Sequence, residues 1–450
     1  MPQDSDTDAK QETTFHASIA PVMVECMWDM IGAILGLVVE NQVDCPWNHF
    51  AGLICLGPIH PPLIGIVPRI CSTYLIGSVA NWKILWAAIS SRPSAELASL
   101  VLNILLSNPP ITAFMLDYTV VQDLYESCRF IFSLIQTFRR DSLCTLQSGL
   151  LLAVYEQGSG HLSNAYLTLA TCASLGYAVG RYKLPNINTS HGEESKRVWW
   201  ATYLLDRLVY YSDNTADRIP LTHSARVGDV LPINDDIWGE HTDAASWLSG
   251  VPRLSVTPTE MLGCFAQQIQ AMSLLDRVVT LARDWPNRAG RLLDEDVWEL
   301  DTAIQKTLQD TLNISGADWE PRYRAIVLLL LALLELHETA SASLRHESIP
   351  PMFHDASIAA METALNFTRD IVCMDDILNV ERMPLAAVLL LSKAGAVAIN
   401  LDFEHKCHTN VLEPVIGSLE RASKRWAIAG RFVRELNMMR SQAPRSTSKQ

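Results

Sequence analysis

From about residue 93 to residue 440, apolar residues return every three or four positions and strand-like alternation is almost absent, the pattern of consecutive α-helices. Ser94 is placed to cap a helix through ELASLVLNILLS, which Pro109 and Pro110 stop. Tyr118 to Arg139 reads as the next helix. Asp141 then precedes SLCTLQSGLLLAVYEQ, where Leu143, Leu146, Leu150 and Val154 recur at spacings of three and four. Gly158-Ser159-Gly160 makes a turn into HLSNAYLTLATCASLGYAVG, whose stripe is Leu162, Ala165, Leu169 and Ala173 and whose end is near Gly180. These two helices form an antiparallel hairpin, and Ala165, Ala170, Ala173 and Gly176 let them approach closely.

Further helices are predicted over Glu193 to Tyr211, Thr259 to Asp284, Asp294 to Leu312, Tyr323 to Ala342, His354 to Cys373, Pro384 to Leu401 and Asn410 to Arg440. The run AIVLLLLALLEL, Ala325 to Leu336, is apolar on every side and belongs at the centre of a bundle. The fold class that follows is all-α, a large multi-helix bundle or array of antiparallel helical hairpins over residues 93–440.

Outside that span the pattern changes. Residues 1–16 are polar and acidic and are expected to be disordered, as is the tail at 441–450. Residues 17–92 form an apolar segment containing Pro and Gly, readable either as loosely specified helical packing or as a misassigned exon. Its run from Met30 to Val39 is too short to cross a bilayer, and the run from Ala51 to Pro68 is broken by Pro58, His60, Pro61 and Pro62.

Apolar residues make up 49% of the 450 and charged ones 19%, enough for a sizeable core. The formal net charge of −14 argues against a broad phosphate-binding face. The ten cysteines include no CxxC, so they offer neither a zinc knuckle nor a redox pair, and Cys172 reads as a small core residue. The N-terminus lacks the basic-then-apolar order of a signal peptide, which points to a reducing compartment inside the cell.

Catalytic patterns are missing: there is no G-x-S-x-G, no P-loop, no H-E-x-x-H and no G-x-G-x-x-G after a strand. The Asp235-Asp236 and Asp375-Asp376 pairs complete no aspartate-rich motif. Glu404, His405, Cys407 and His408 read as a solvated helix end, and the carboxylates at 294–296 as helix N-terminal residues. Residues 421–450 are basic, with eight Lys or Arg against Glu435 alone, on an amphipathic pattern carrying Trp426, Ile428, Phe432, Val433 and Leu436.

The most informative stretch is Glu193 to Tyr211, EESKRVWWATYLLDRLVYY. Trp199, Tyr203, Asp206 and Tyr210 share one helical face, with Trp200, Leu204, Leu208 and Tyr211 on the adjacent stripe. The aromatic surface calls for burial, which leaves Asp206 desolvated and in need of a basic side chain or a neighbouring helix N-terminus. Arg197, Trp199, Trp200, Tyr203, Asp206 and Arg207 together resemble one helix of the fungal transcription-factor regulatory domain, the middle homology region of binuclear zinc-cluster transcription factors. The resemblance covers about Tyr118 to Asp236. It includes Leu150, Leu151, Tyr155, Gly158, Gly160, Ala165, Tyr166, Leu175, Gly176 and Tyr177 before that helix, and Asp229, Leu231 and Pro232 after it. Asp213-Asn214-Thr215-Ala216 departs from the family's usual Gly-Arg-Pro.

The resemblance implies a helical regulatory domain in a nuclear transcription regulator, controlling a fungal secondary-metabolite gene cluster. No catalytic residue, cofactor or metal is implied. Partners would be proteins or a second copy, with a small-molecule effector as a further candidate and no membrane. The family's zinc module carries two Cys-x2-Cys-x6-Cys halves, and nothing in this sequence matches them. DNA would be reached indirectly, or through an N-terminal module missing here. The alternative is a cluster-encoded accessory protein or enzyme that uses the helical body as a small-molecule pocket.

Overall fold

A computed structural model describes residues 95–107, 118–138, 143–180, 190–212, 218–234, 252–255, 262–284, 293–315, 322–344, 351–373, 383–405 and 410–442. The readings placed on residues 1–16 and 17–92, on Ser94, Asp141, Asp213 to Ala216, the Asp235 and Asp375 pairs and 443–450 lie outside them, as do the side chains from Glu404 to His408.

Twelve helices occur among the described residues: α1 Ala95–Leu106, α2 Tyr118–Phe138, α3 Leu143–Gly158, α4 Leu162–Ala178, α5 Ser190–Ser212, α6 Cys264–Asp284, α7 Leu293–Ser315, α8 Tyr323–Leu344, α9 Pro351–Cys373, α10 Leu385–His405, α11 Leu412–Ala422 and α12 Ala427–Gln442. The protein is all-α, as its hydrophobic periodicity predicts. The one β feature described is a single antiparallel bridge, Val230 to Arg253. None of the described helices is long and apolar enough to cross a membrane.

Two compact units divide the chain. One takes in the described parts of Ser78–Tyr155 together with Leu167–Gly180. Here α1 packs on α2, and α3 meets α4 where a Cβ on Gly149 would fall 2.4 Å from the Cys172 sulfur and 2.5 Å from the Phe132 ring. The close approach thus depends on Gly149, a position outside the small residues that the sequence suggested, while Ala165 and Ala173 are buried as expected.

The other unit takes in Glu156–Tyr166 and the described part of Arg181–Gln450. Its first residues close α3: the His161 amide donates to the Glu156 carbonyl and the Gly160 amide to that of Gln157, with Gly160 at φ +83°. This is a Schellman ending, and its left-handed residue explains a glycine at that position. At the centre of this unit runs α8. Ala325 to Leu334 are all buried, and the helix packs against α6, α7, α9 and α10. Each leucine so enclosed contributes about 1.5–3 kcal/mol of apolar burial.

Glu335, His337 and Glu338 of α8 are answered by neighbours. Lys393 of α10 forms ion pairs with Glu335, at 2.5 Å, and with Glu338. The Tyr211 hydroxyl donates to Glu335 at 2.9 Å, and His337 Nε2 lies 2.9 Å from Asp301 of α7.

Two boundaries differ from the sequence reading. The helix expected to begin at Thr259 begins at Cys264, since Leu262 and Gly263 are not helical; a mid-helix glycine costs about 1 kcal/mol, and Gly263 here offers its carbonyl to the Gln267 amide at the helix start. The helix expected over Asn410 to Arg440 is two, α11 and α12. Between them the Lys424 and Arg425 amides take carbonyls three residues back, a tightening that lets Trp426 dock. The Trp426 indole donates to the Met383 carbonyl at 2.9 Å, and its ring occupies the space that a Cβ on Gly158 would need, at 2.1 Å.

Candidate functional site

Helix α5 is buried around its whole circumference, not along two stripes. Trp199, Trp200, Tyr203 and Asp206 are enclosed, but so are Val198, Ala201, Thr202, Leu205 and Val209 on the other side. A helix this deep carries polar side chains only where something answers them. In α5 much of that comes from the non-helical run Arg218–Asn234, whose backbone is completed by residues 252–254 at Gly228, Asp229 and Leu231 and by α5 side chains at Leu221, Thr222, Val230 and Ile233.

The stitching occurs at three levels. Near the helix start, Glu193 Oε1 accepts from the Ile233 amide at 3.0 Å, and Arg197 Nη2 donates to the Ile233 carbonyl at 2.7 Å. Glu193 also holds Lys196 at 2.8 Å and Arg197 at 3.1 Å. One turn on, the Trp200 indole donates to the Val230 carbonyl at 3.0 Å, and its ring meets Tyr203 edge-on with centroids 5.5 Å apart. Two turns further, Asp206 accepts from the Leu221 and Thr222 amides, at 3.0 and 2.9 Å, and from the Thr222 hydroxyl at 2.6 Å. Between these anchor points the run turns at Arg226 to Asp229, with the Asp229 carboxylate accepting from the Arg226 amide and Gly228 at φ +92°.

Arg207 ties this arrangement to α6. Its guanidinium donates to Asp206 at 2.5 Å, to Asp276 of α6 at 2.7 Å and to the Thr222 carbonyl at 2.9 Å, and sits 4.9 Å from the centre of the Tyr203 ring. The Tyr203 hydroxyl reaches Asp276 at 3.4 Å. The cluster therefore places two carboxylates on one guanidinium inside the protein. Burial pushes the Asp206 carboxyl above its ordinary value, against the pull of Arg207, the Thr222 hydroxyl and the two loop amides. For Arg207, burial works against the charge, yet Asp276 and Asp206 more than offset it and hold the guanidinium protonated. Burial, then the Asp276 charge, raises the Tyr203 phenol well above its usual range.

Of the six signature residues, Trp200, Tyr203, Asp206 and Arg207 meet directly or through Thr222, whereas Arg197 belongs to the Glu193 group near the helix start and lies 5.9 Å from the Phe265 ring. Trp199 is buried. Asp206 takes its cation from the adjacent residue and its amides from a loop; no helix N-terminus serves it. Sequence reasoning missed Glu193, Lys196, Thr222 and Asp276. The i,i+4 spacing of Glu193 and Arg197 was a usable signal. Asp276 showed only as a carboxylate amid the apolar residues of LLDRVV, and Thr222 gave none.

On the outer side of Asp276 lies an open cleft of about 280 Å³, lined by Ser224, Ser273, Asp276, Arg277, Asp296 and Glu299 among others. Among the described residues no group of His, Cys, Asp and Glu is arranged to hold a metal ion.

With this geometry in place, residues 113–267 match the model of the fungal specific transcription factor domain. Over these residues, about a third of the chain, the sequence is similar to that family of regulatory domains. The match runs from before α2 into the first turn of α6, wider at both ends than the motifs alone indicated. Asp276, the second carboxylate on Arg207, lies beyond its end. No curated protein and no solved structure matches the chain.

Proposed function

We propose that this protein is a transcription regulator that acts in the nucleus and controls a fungal secondary-metabolite gene cluster. The observation that carries the reading is the match of residues 113–267 to the fungal specific transcription factor domain. The way α5 uses its polar groups supports it, since Arg197, Trp200, Tyr203, Asp206 and Arg207 each hold loop backbone or a neighbouring helix. Such an arrangement is a scaffold, not a reaction centre. The scaffold binds a partner protein or a second copy, and DNA is reached through that partner or through a further module.

Deletion of the gene and measurement of transcripts from its genomic neighbours tests this. Expression of adjacent biosynthetic genes should change several-fold; unchanged neighbours would count against the reading, and a tagged protein held outside the nucleus would remove it. The alternative, an accessory protein or enzyme with a small-molecule pocket, has the cleft beside Asp276 in its favour. That carboxylate is already engaged by Arg207 at 2.7 Å, which suits binding better than proton transfer.

A further inference from the structure

Helices α7 and α12 belong to the same compact unit, and each turns a stripe of mixed character to solvent. On α7, Glu295, Trp298, Thr302, Gln305 and Gln309 are exposed and recur every three or four residues; on α12, Ala427, Arg431, Arg434, Met438 and Ser441 do the same. Their inner sides face the core, where α7 packs on α6 and α8, and α12 on α10 and α11. Each outward stripe holds one large apolar side chain left in water, Trp298 at 67% and Met438 at 55% exposure. Single exposed apolar residues are ordinary. What sets these two apart is the charge beside each. Glu299 is held by Arg277 and Arg431 by Glu435, whereas Glu295 and Arg434 form no ion pair among the described residues.

The two stripes match in spacing as well as in charge. Glu295 precedes Trp298 by three residues and Arg434 precedes Met438 by four, advances of about 4.5 and about 6 Å along a helix axis. Laid side by side in the same direction, they set carboxylate against guanidinium and indole against thioether, both favourable contacts. Trp298 and Met438 are exposed in the single chain, so the contact is not made within it. We infer that a second copy of this chain supplies it, in a dimer where α7 of each copy lies along α12 of the other. One copy carries both stripes, so a two-fold axis makes the contact twice. Trp, Met and Arg are enriched at protein interfaces, and Trp and Arg among the residues that dominate binding. This rests on the reading of the helical body as a partner-binding scaffold and names the partner. It is measured on purified protein, so its failure leaves the transcript test standing.

The test is sedimentation velocity on the full chain over a concentration series, at physiological ionic strength so that the −14 charge of each copy is screened. The parent should pass from monomer to dimer as concentration rises. Trp298→Ala, Glu295→Arg and Arg434→Glu all alter exposed positions, so their melting should stay close to the parent's, and each should weaken dimerisation about tenfold or more. Glu295→Arg and Arg434→Glu mixed in equal amounts should recover the dimer, since each variant then meets the opposite charge at both contacts. Mixing would not mend a general loss of folding. A parent that stays monomeric at every concentration overturns the second copy as the occupant of these stripes. A dimer indifferent to Trp298→Ala or to either charge reversal, or a mixture that remains monomeric, overturns the contact.

Discussion

Replacing Arg207 with methionine keeps most of the side-chain volume but removes the single cation between Asp206 and Asp276. Both carboxylates are buried, and the guanidinium donates to each at 2.5 and 2.7 Å. Taking one partner from a buried pair costs about 3–5 kcal/mol, because a charge is left uncompensated. Here two remain, and the Thr222 carbonyl loses its 2.9 Å donor as well. Against a total stability of about 5–15 kcal/mol, the variant should unfold at much lower urea concentration.

The pH dependence identifies the cause. Asp206 already has a raised carboxyl pKa with Arg207 present as an opposing influence, so losing Arg207 raises it further. A group with a raised folded pKa binds its proton more tightly when folded, so the ionisation penalty is relieved as pH falls through that value. The deficit of Arg207→Met should therefore shrink as the pH is lowered from neutral. Asp206→Asn, which leaves Arg207 paired one-to-one with Asp276, should cost less than Arg207→Met, whereas Asp206→Ala should cost about 1–3 kcal/mol or more by orphaning the two loop amides. A deficit for Arg207→Met below about 1 kcal/mol, or one that does not vary with pH, would refute the reasoning.

Other perturbations test other parts of the molecule. Gly158→Ala drives a methyl into the Trp426 ring, a rigid neighbour at 2.1 Å anchored on Met383, so urea unfolding should register a loss of about 1–3 kcal/mol. Leu331→Ala empties a fully buried position in α8 and should cost about 2–5 kcal/mol by the same assay. At alkaline pH, Tyr203, Tyr211 and Lys393 all have pKa values raised above their ordinary 10.0, 10.0 and 10.5, so the folded state retains protons that the unfolded chain releases. Their contribution is intact below pH 10 and is lost as pH rises beyond it; melting temperature should fall steeply there, and less steeply in Tyr211→Phe.

What the sequence made legible was whatever local period or chain spacing controls. Helix α8 announced itself as central because apolar residues occupy every side of it, and burial follows from that with no tertiary knowledge. The Asp206 requirement for compensation was equally readable from its place among aromatic rings. The identity of the compensators was not. Thr222, which donates to Asp206, lies 16 residues away along the chain, and Asp276, which shares Arg207 with it, lies 69 residues from that arginine; nothing local marks either as a neighbour. The α11–α12 break was hidden for a similar reason: Ser423, Lys424 and Arg425 include no helix breaker, and the kink follows from where Trp426 lodges against Gly158.

The all-round apolar character of α8 limits where this molecule can change shape. Any movement that pried it from α6, α7, α9 or α10 would bare a continuous greasy rod to water, inviting clumping and capture by the cell's quality-control machinery before a signal could be sent. Reversible switching is consequently confined to the periphery, where a few hydrogen bonds can be exchanged at small cost and the central rod stays sealed.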